Sequence, residues 1–103
     1  MAADPLTAIV QRALAQGWSR DELVLVIADD RSDVGARLRE SGAHEASGLV
    51  VAVVPRKTFP TAFPDAPSAV LDDVATVPPH GIVHAVQVDE ANKWAIGTLT
   101  VGD

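Results

Sequence analysis

The chain has no cysteine, and that single absence removes disulfides, thiolate chemistry and cysteine-ligated zinc together. Aromatic residues are almost as scarce: two tryptophans, two phenylalanines and no tyrosine. Positive charge is short as well, with eight Lys and Arg against fourteen Asp and Glu and a net charge of −6. Nucleic-acid binding needs a basic stripe and usually aromatic stacking platforms. Arg56-Lys57 is the one adjacent basic pair, so neither DNA nor RNA is expected as a partner. No apolar run approaches the ~20 residues that span a bilayer, so no membrane partner is expected either. Met1-Ala2-Ala3-Asp4-Pro5 leads into no signal-peptide pattern, and the expected location is cytoplasmic. The glycines are scattered, with no Gly-x-Gly-x-x-Gly or Walker loop, and Gly-x-Ser-x-Gly and His-Glu-x-x-His are missing too. No cofactor, no metal and no catalytic residue is therefore assigned.

What is present describes one small packed domain. A length of 103 residues lies near the commonest domain size. With 48% hydrophobic residues the chain has enough apolar surface for a core. Leu6, Ile9, Val10, Ala13 and Leu14 share one face of a helix expected over about 5–16. Asp4 suits its cap, Pro5 its first position and Gly17 its C′ position, with Trp18 packing back on the helix end.

Residues 23–28 carry two competing signals. Leu23-Val24-Leu25-Val26-Ile27-Ala28 is an apolar, β-branched run that suits a strand buried on both faces. Ser19-Arg20-Asp21-Glu22 matches a Ser-x-x-Glu capping box that would instead start a helix at Leu23. A strand is favoured; a helix would make the N-terminal half a helical hairpin. A short helix capped by Asp30 or Ser32 should follow, with Val34 and Leu38 inward, Asp33 paired to Arg37, and Gly42 closing it. Residues 43–48 read as a loop and 49–54 as a second buried strand.

Pro55, Pro60, Pro64 and Pro67 mark an irregular crossing at 55–67, ahead of a short helix to about Ala75 with Val70, Leu71 and Val74 inward. Pro78-Pro79 breaks the chain again. Residues 82–89 and 94–101 form a hairpin around Glu90-Ala91-Asn92-Lys93, with Trp94 and Ile96 on one face and Leu99 and Val101 on the other. The expected class is α/β (or α+β): a mixed sheet with a βαβ unit, an N-terminal amphipathic helix and a C-terminal β-hairpin.

If both apolar runs are parallel strands, their C-terminal ends lie on the edge where open α/β sheets bind ligands. Asp29 and Asp30 would then meet Arg56, Lys57 and Thr58, either as an anion or metal-phosphate site or as an ordinary ion pair. Ile27-Ala28-Asp29-Asp30 resembles the opening of response-regulator receiver domains, where an acidic pair helps bind magnesium. Val54-Pro55 stands where those domains carry the phosphoacceptor aspartate, so membership is not inferred.

The other candidates are weaker. His80 and His84 are four apart, but on a strand that is roughly 13 Å, too far to share an ion. His84 on an apolar face suits a satisfied core or interface histidine. His44-Glu45 has no nucleophile placed beside it. Asp72 and Asp73 point to different sides of a helix, and Thr58 beside two basic residues fits a phosphorylation target.

The expected function is a non-catalytic protein-interaction module: a small acidic regulatory, immunity-type or accessory subunit. Its partner is another protein or a second copy, bound through the acidic surface, the hairpin edge or the proline-rich crossing. The alternative is a small-molecule or phosphate-binding domain, up to a weak enzyme, using Asp29, Asp30, Arg56, Lys57 and Thr58. A purely structural homo-oligomer is a third class.

Overall fold

The computed structural model describes residues 5–101; the cap expected of Asp4 lies outside them. In chain order the elements are α1 (Pro5–Ala15), β1 (Leu23–Asp29), α2 (Asp33–Glu40), β2 (His44–Ala46), β3 (Leu49–Pro55), α3 (Phe59–Ala62), α4 (Ser68–Ala75), β4 (Ile82–Val88) and β5 (Trp94–Thr100). The strands form one mixed sheet in the order β2-β3-β1-β4-β5.

α1 ends as its sequence predicts. Gly17 takes φ of 108°, its N–H donates to the Leu14 carbonyl, and the Trp18 N–H donates to the Ala13 carbonyl. That pair of bonds is a Schellman motif, and Trp18 packs against the core beside α1. At residues 19–22 both signals are honoured. The Ser19 N–H donates to Glu22 Oε1 at 2.9 Å, as in a capping box, yet the turn it closes leads into a strand. β1 lies in the middle of the sheet, and Leu23 to Ala28 is buried on both faces. Burial of six apolar residues outweighs a cap contributing about 1 kcal/mol.

The expected βαβ unit needs a correction. The two apolar runs are adjacent strands, but they are antiparallel: Leu23 pairs with Pro55 and Asp29 with Leu49. The cause lies in residues 43–48, expected as a loop. They hold β2 and a two-residue turn in which Ser47 and Gly48 have φ of 54° and 78°. Two left-handed residues are what a type I′ hairpin requires. The crossover through α2 therefore delivers β2, parallel in direction to β1, and the hairpin folds β3 back into the gap between them. The parallel neighbour of β1 is β4, paired from Val24–His84 to Ala28–Val88.

Two apolar layers flank the sheet. On one side α1 sets Val10 and Ala13 against Leu23, Leu25, Ile27, Val83 and Ala85. On the other, Val34 and Leu38 of α2, Phe59 of α3 and Val70 and Val74 of α4 cover Val24, Val26, Val50 and Val86. The proline-rich crossing contributes to this core more than its composition suggests. α3 is a single turn within it, and it places Phe59 out of contact with solvent. The Phe59 and Phe63 rings lie 5.0 Å apart, and Phe63 meets Trp94 of β5 edge-on at 6.0 Å.

Candidate functional site

The five residues expected at one edge sit at two. Because β1 and β3 are antiparallel, Asp29 and Asp30 leave one end of the sheet while Arg56, Lys57 and Thr58 leave the other. The intervening strand is roughly 20 Å long. Asp29 instead accepts from the Arg31 backbone N–H at 2.9 Å and from its guanidinium at 3.2 Å, and the second bond is the main reason its carboxyl is held below the usual range. Arg31 also reaches Glu90 at 2.7 Å. Arg39 spans Asp30 at 3.7 Å and Glu45 at 3.0 Å. These are exposed pairs, screened by solvent, and each contributes little to stability. Arg37 pairs with Asp65 at 3.2 Å and lies over the Phe63 ring, a link between α2 and the proline-rich crossing rather than the local pairing expected with Asp33. At the opposite end Lys57 and Thr58 are exposed, and the Arg56 N–H donates to the Glu22 carbonyl.

The C-terminal ends of the parallel pair β1 and β4 form the edge where ligands of open α/β sheets bind. Here that edge is filled by the chain's own side chains. Ser32 is buried; its hydroxyl donates to the Asp29 carbonyl at 2.6 Å and accepts the Gly35 N–H at 2.9 Å. Asn92, with φ of 60° in the β4–β5 turn, accepts the Asp33 N–H at 2.8 Å. Two first-turn amides of α2 are thus already spoken for, which leaves the helix start a poor anion site. The turn is itself organised by Asp89, whose Oδ1 accepts the Ala91 and Lys93 N–H groups at 2.9 Å.

His84 is buried, as its apolar face suggests, but not satisfied. It is 9% exposed, and its Nδ1 has no hydrogen-bond partner among the described residues. A cleft of about 230 Å³ beside it is lined by Asp73, Thr76, Ile96, Gly97 and Thr98. Loss of solvent lowers the imidazole pKa below its ordinary 6.5, with Asp73 opposing the shift and Arg56 adding to it. His80 lines a different cavity with Arg20, Asp21, Pro78 and Pro79. Among the described residues no group of three or more His, Asp or Glu could hold a metal ion, and no helix is long and apolar enough to cross a membrane.

The His84 environment has a pH consequence. With its folded pKa depressed, the unfolded chain takes up the proton first as pH falls through about 6.5, so unfolding binds protons and stability drops. The contribution is fully present above pH 6.5 and is lost below it, with a slope of at most about 1.4 kcal/mol per pH unit. His84→Leu should flatten the change in urea midpoint between about pH 7.5 and 5.5. An unchanged pH dependence in that variant would show that His84 is not the titrating group.

The remaining feature is the outer edge of β5. Val101 donates to the Gly81 carbonyl and Asp89 donates to the Lys93 carbonyl, which fixes the alternation along the hairpin. Residues 95, 97 and 99 turn their backbone groups toward β4, while Trp94, Ile96, Thr98 and Thr100 turn theirs outward. Among the described residues no strand lies beyond β5. From Trp94 to Val101 there is no charge and no proline, and the pairing with β4 runs without a bulge.

No protein-family model, curated protein or solved structure matches the chain.

The hairpin itself is legible from Asn92 and the alternation, so an edge strand is expected. The outward-facing set follows only from the register, which no spacing in the sequence specifies. The Asn92–Asp33 bond is equally hidden, since it joins residues 59 apart.

Proposed function

We propose that this chain is a non-catalytic protein-interaction module that receives an extended segment of another polypeptide on the outer edge of β5. The observation that carries the reading is the unguarded edge. Natural edge strands are short, charged, bulged, covered or interrupted by proline, because a bare row of N–H and C=O groups recruits other strands. Among the described residues β5 is seven residues long, pairs with β4 without a bulge and carries no charge and no proline. Strand addition there would draw affinity from main-chain hydrogen bonds and specificity from the alternate side chains. The acidic surface, with a net charge of −6, suits a regulatory, immunity-type or accessory subunit acting in the cytoplasm, because it discourages indiscriminate association elsewhere.

Thr98→Pro tests the reading. Its N–H points outward, so proline removes a group offered to the partner and leaves the β4 ladder intact; edge strands tolerate proline at such a position. Wild-type bait should retain its partner strand, carried by another protein or by an untagged second copy of this chain, about ten-fold or more better than the Thr98→Pro bait, a difference of about 1.4 kcal/mol. Asp29→Asn combined with Lys57→Ala should leave capture unchanged. Equal capture by wild type and Thr98→Pro would remove β5 as the binding edge.

A further inference from the structure

We infer that the strand occupying this edge is β5 of a second copy, antiparallel to the first about a two-fold axis at Gly97; this rests on the edge reading above and names its partner. β5 runs from Trp94 to Thr100, so Gly97 is its midpoint. In an isologous pair centred there, Trp94 lies opposite Thr100 of the second copy, and Ile96 lies opposite Thr98. These are the four residues whose backbone groups point outward. An antiparallel pair exchanges both bonds between such residues, so every outward N–H and C=O from Trp94 to Thr100 finds a partner. Sliding the register by two residues in either direction strands the groups at one end.

Gly97 supplies the second argument. A glycine inside a strand weakens it and marks a bulge, a bend or the close approach of another backbone. Here there is no bulge, φ does not lie in the left-handed region, and a Cβ built at Gly97 would meet nothing within 4 Å. Nothing in the single copy calls for glycine. At the two-fold axis Gly97 would face its own symmetry mate in a non-hydrogen-bonded pair, where Cα atoms approach to about 4.5 Å and side chains crowd most.

Net charge opposes the pairing, and the strand itself adds nothing to that repulsion. Two chains of −6 repel one another, and like charges directly opposite each other in a sheet are destabilising. A self-pairing strand sets the same short sequence against itself, so it must be free of charge, and Trp94 to Val101 is. Leu99 meets Ala95 across the axis on the α1 side, which extends the apolar layer from one copy into the next. The residual repulsion is long-range and therefore screened by salt, so the dimer should tighten as ionic strength rises.

The absence of cysteine makes the test clean. Gly97→Cys places two thiols about 4.5 Å apart by Cα, inside the range a disulfide spans. Ala95→Cys lies on the same face, but each copy faces Leu99 of the other, so the two cysteines are separated by roughly 13 Å and cannot bridge. Under mild oxidation Gly97→Cys should form a covalent dimer about ten-fold faster than Ala95→Cys or more, and wild type should sediment at twice 10.8 kDa. Thr98→Pro should sediment as a monomer, and added salt should shift wild type further toward dimer. The inference is overturned if wild type stays monomeric at millimolar concentration and the two cysteine variants cross-link alike. If that happens while Thr98→Pro still abolishes capture of another protein, the edge reading stands and its occupant is a different chain. If Thr98→Pro alters neither, both fall.

Discussion

Gly35→Ala should destabilise the protein by about 3 kcal/mol or more, the upper part of the range for overpacking a filled site. The sign is the informative part. Gly35 lies in the first turn of α2, where alanine normally gains up to about 1 kcal/mol over glycine. Here a Cβ would stand 2.1 Å from the Asp29 carbonyl oxygen and 3.1 Å from the Asp30 Cα. Both are backbone atoms, so no side chain can rotate away. That carbonyl also accepts the Ser32 hydroxyl, and Ser32 in turn accepts the Gly35 N–H. Relieving the clash means separating α2 from the end of β1 and breaking a buried cap worth about 1 kcal/mol. A domain of this size shifts its melting temperature by about 4–8 °C per kcal/mol, so a fall of roughly 12–24 °C is expected. A variant as stable as wild type would show that α2 does not approach β1 as closely as described.

Gly35 also illustrates where sequence reading stops. Val34 and Leu38 identify the buried side of α2, and Ser32 its cap, because these are local patterns with a period and a cap chemistry. A glycine between them looks like a weak point in a helix until the carbonyl beneath it is seen. The same limit governs the strands. Apolar runs at 23–28 and 49–54 announce buried strands, yet nothing in either run states its direction. The decision lies in Ser47-Gly48, a turn dipeptide inside what reads as a loop, and in three residues of β2 too few to show alternation. That one turn moves Arg56, Lys57 and Thr58 to the far end of the sheet from Asp29 and Asp30. The terminal hairpin fared better because Asn92 and the alternation of 82–89 and 94–101 speak to one another at short range. The edge it leaves is consequently the part of the candidate site that sequence and structure describe alike.

Phe59→Ala should cost about 3–5 kcal/mol, the range for truncating a buried aromatic ring. Residues 55–67 read as an irregular crossing because prolines dominate them, and an aromatic in such a segment would ordinarily be half exposed. Phe59 is instead fully buried, at 0% exposed, on the single turn of α3. Its ring supports Phe63, and Phe63 supports Trp94, the first residue of β5. Removing the ring leaves a cavity between α3, α4 and the sheet that backbone collapse can fill only by moving α3 and its prolines. A loss of this size is a large share of the ~5–15 kcal/mol that holds a domain of this kind together. Urea unfolding should show a much lower midpoint with a similar slope, and Phe59→Leu, which keeps most of the apolar volume, should lose distinctly less. Near-UV circular dichroism of Phe59→Ala should show a weakened tryptophan signal before the sheet unfolds. A loss below about 1 kcal/mol would mean that the crossing is a surface connection after all.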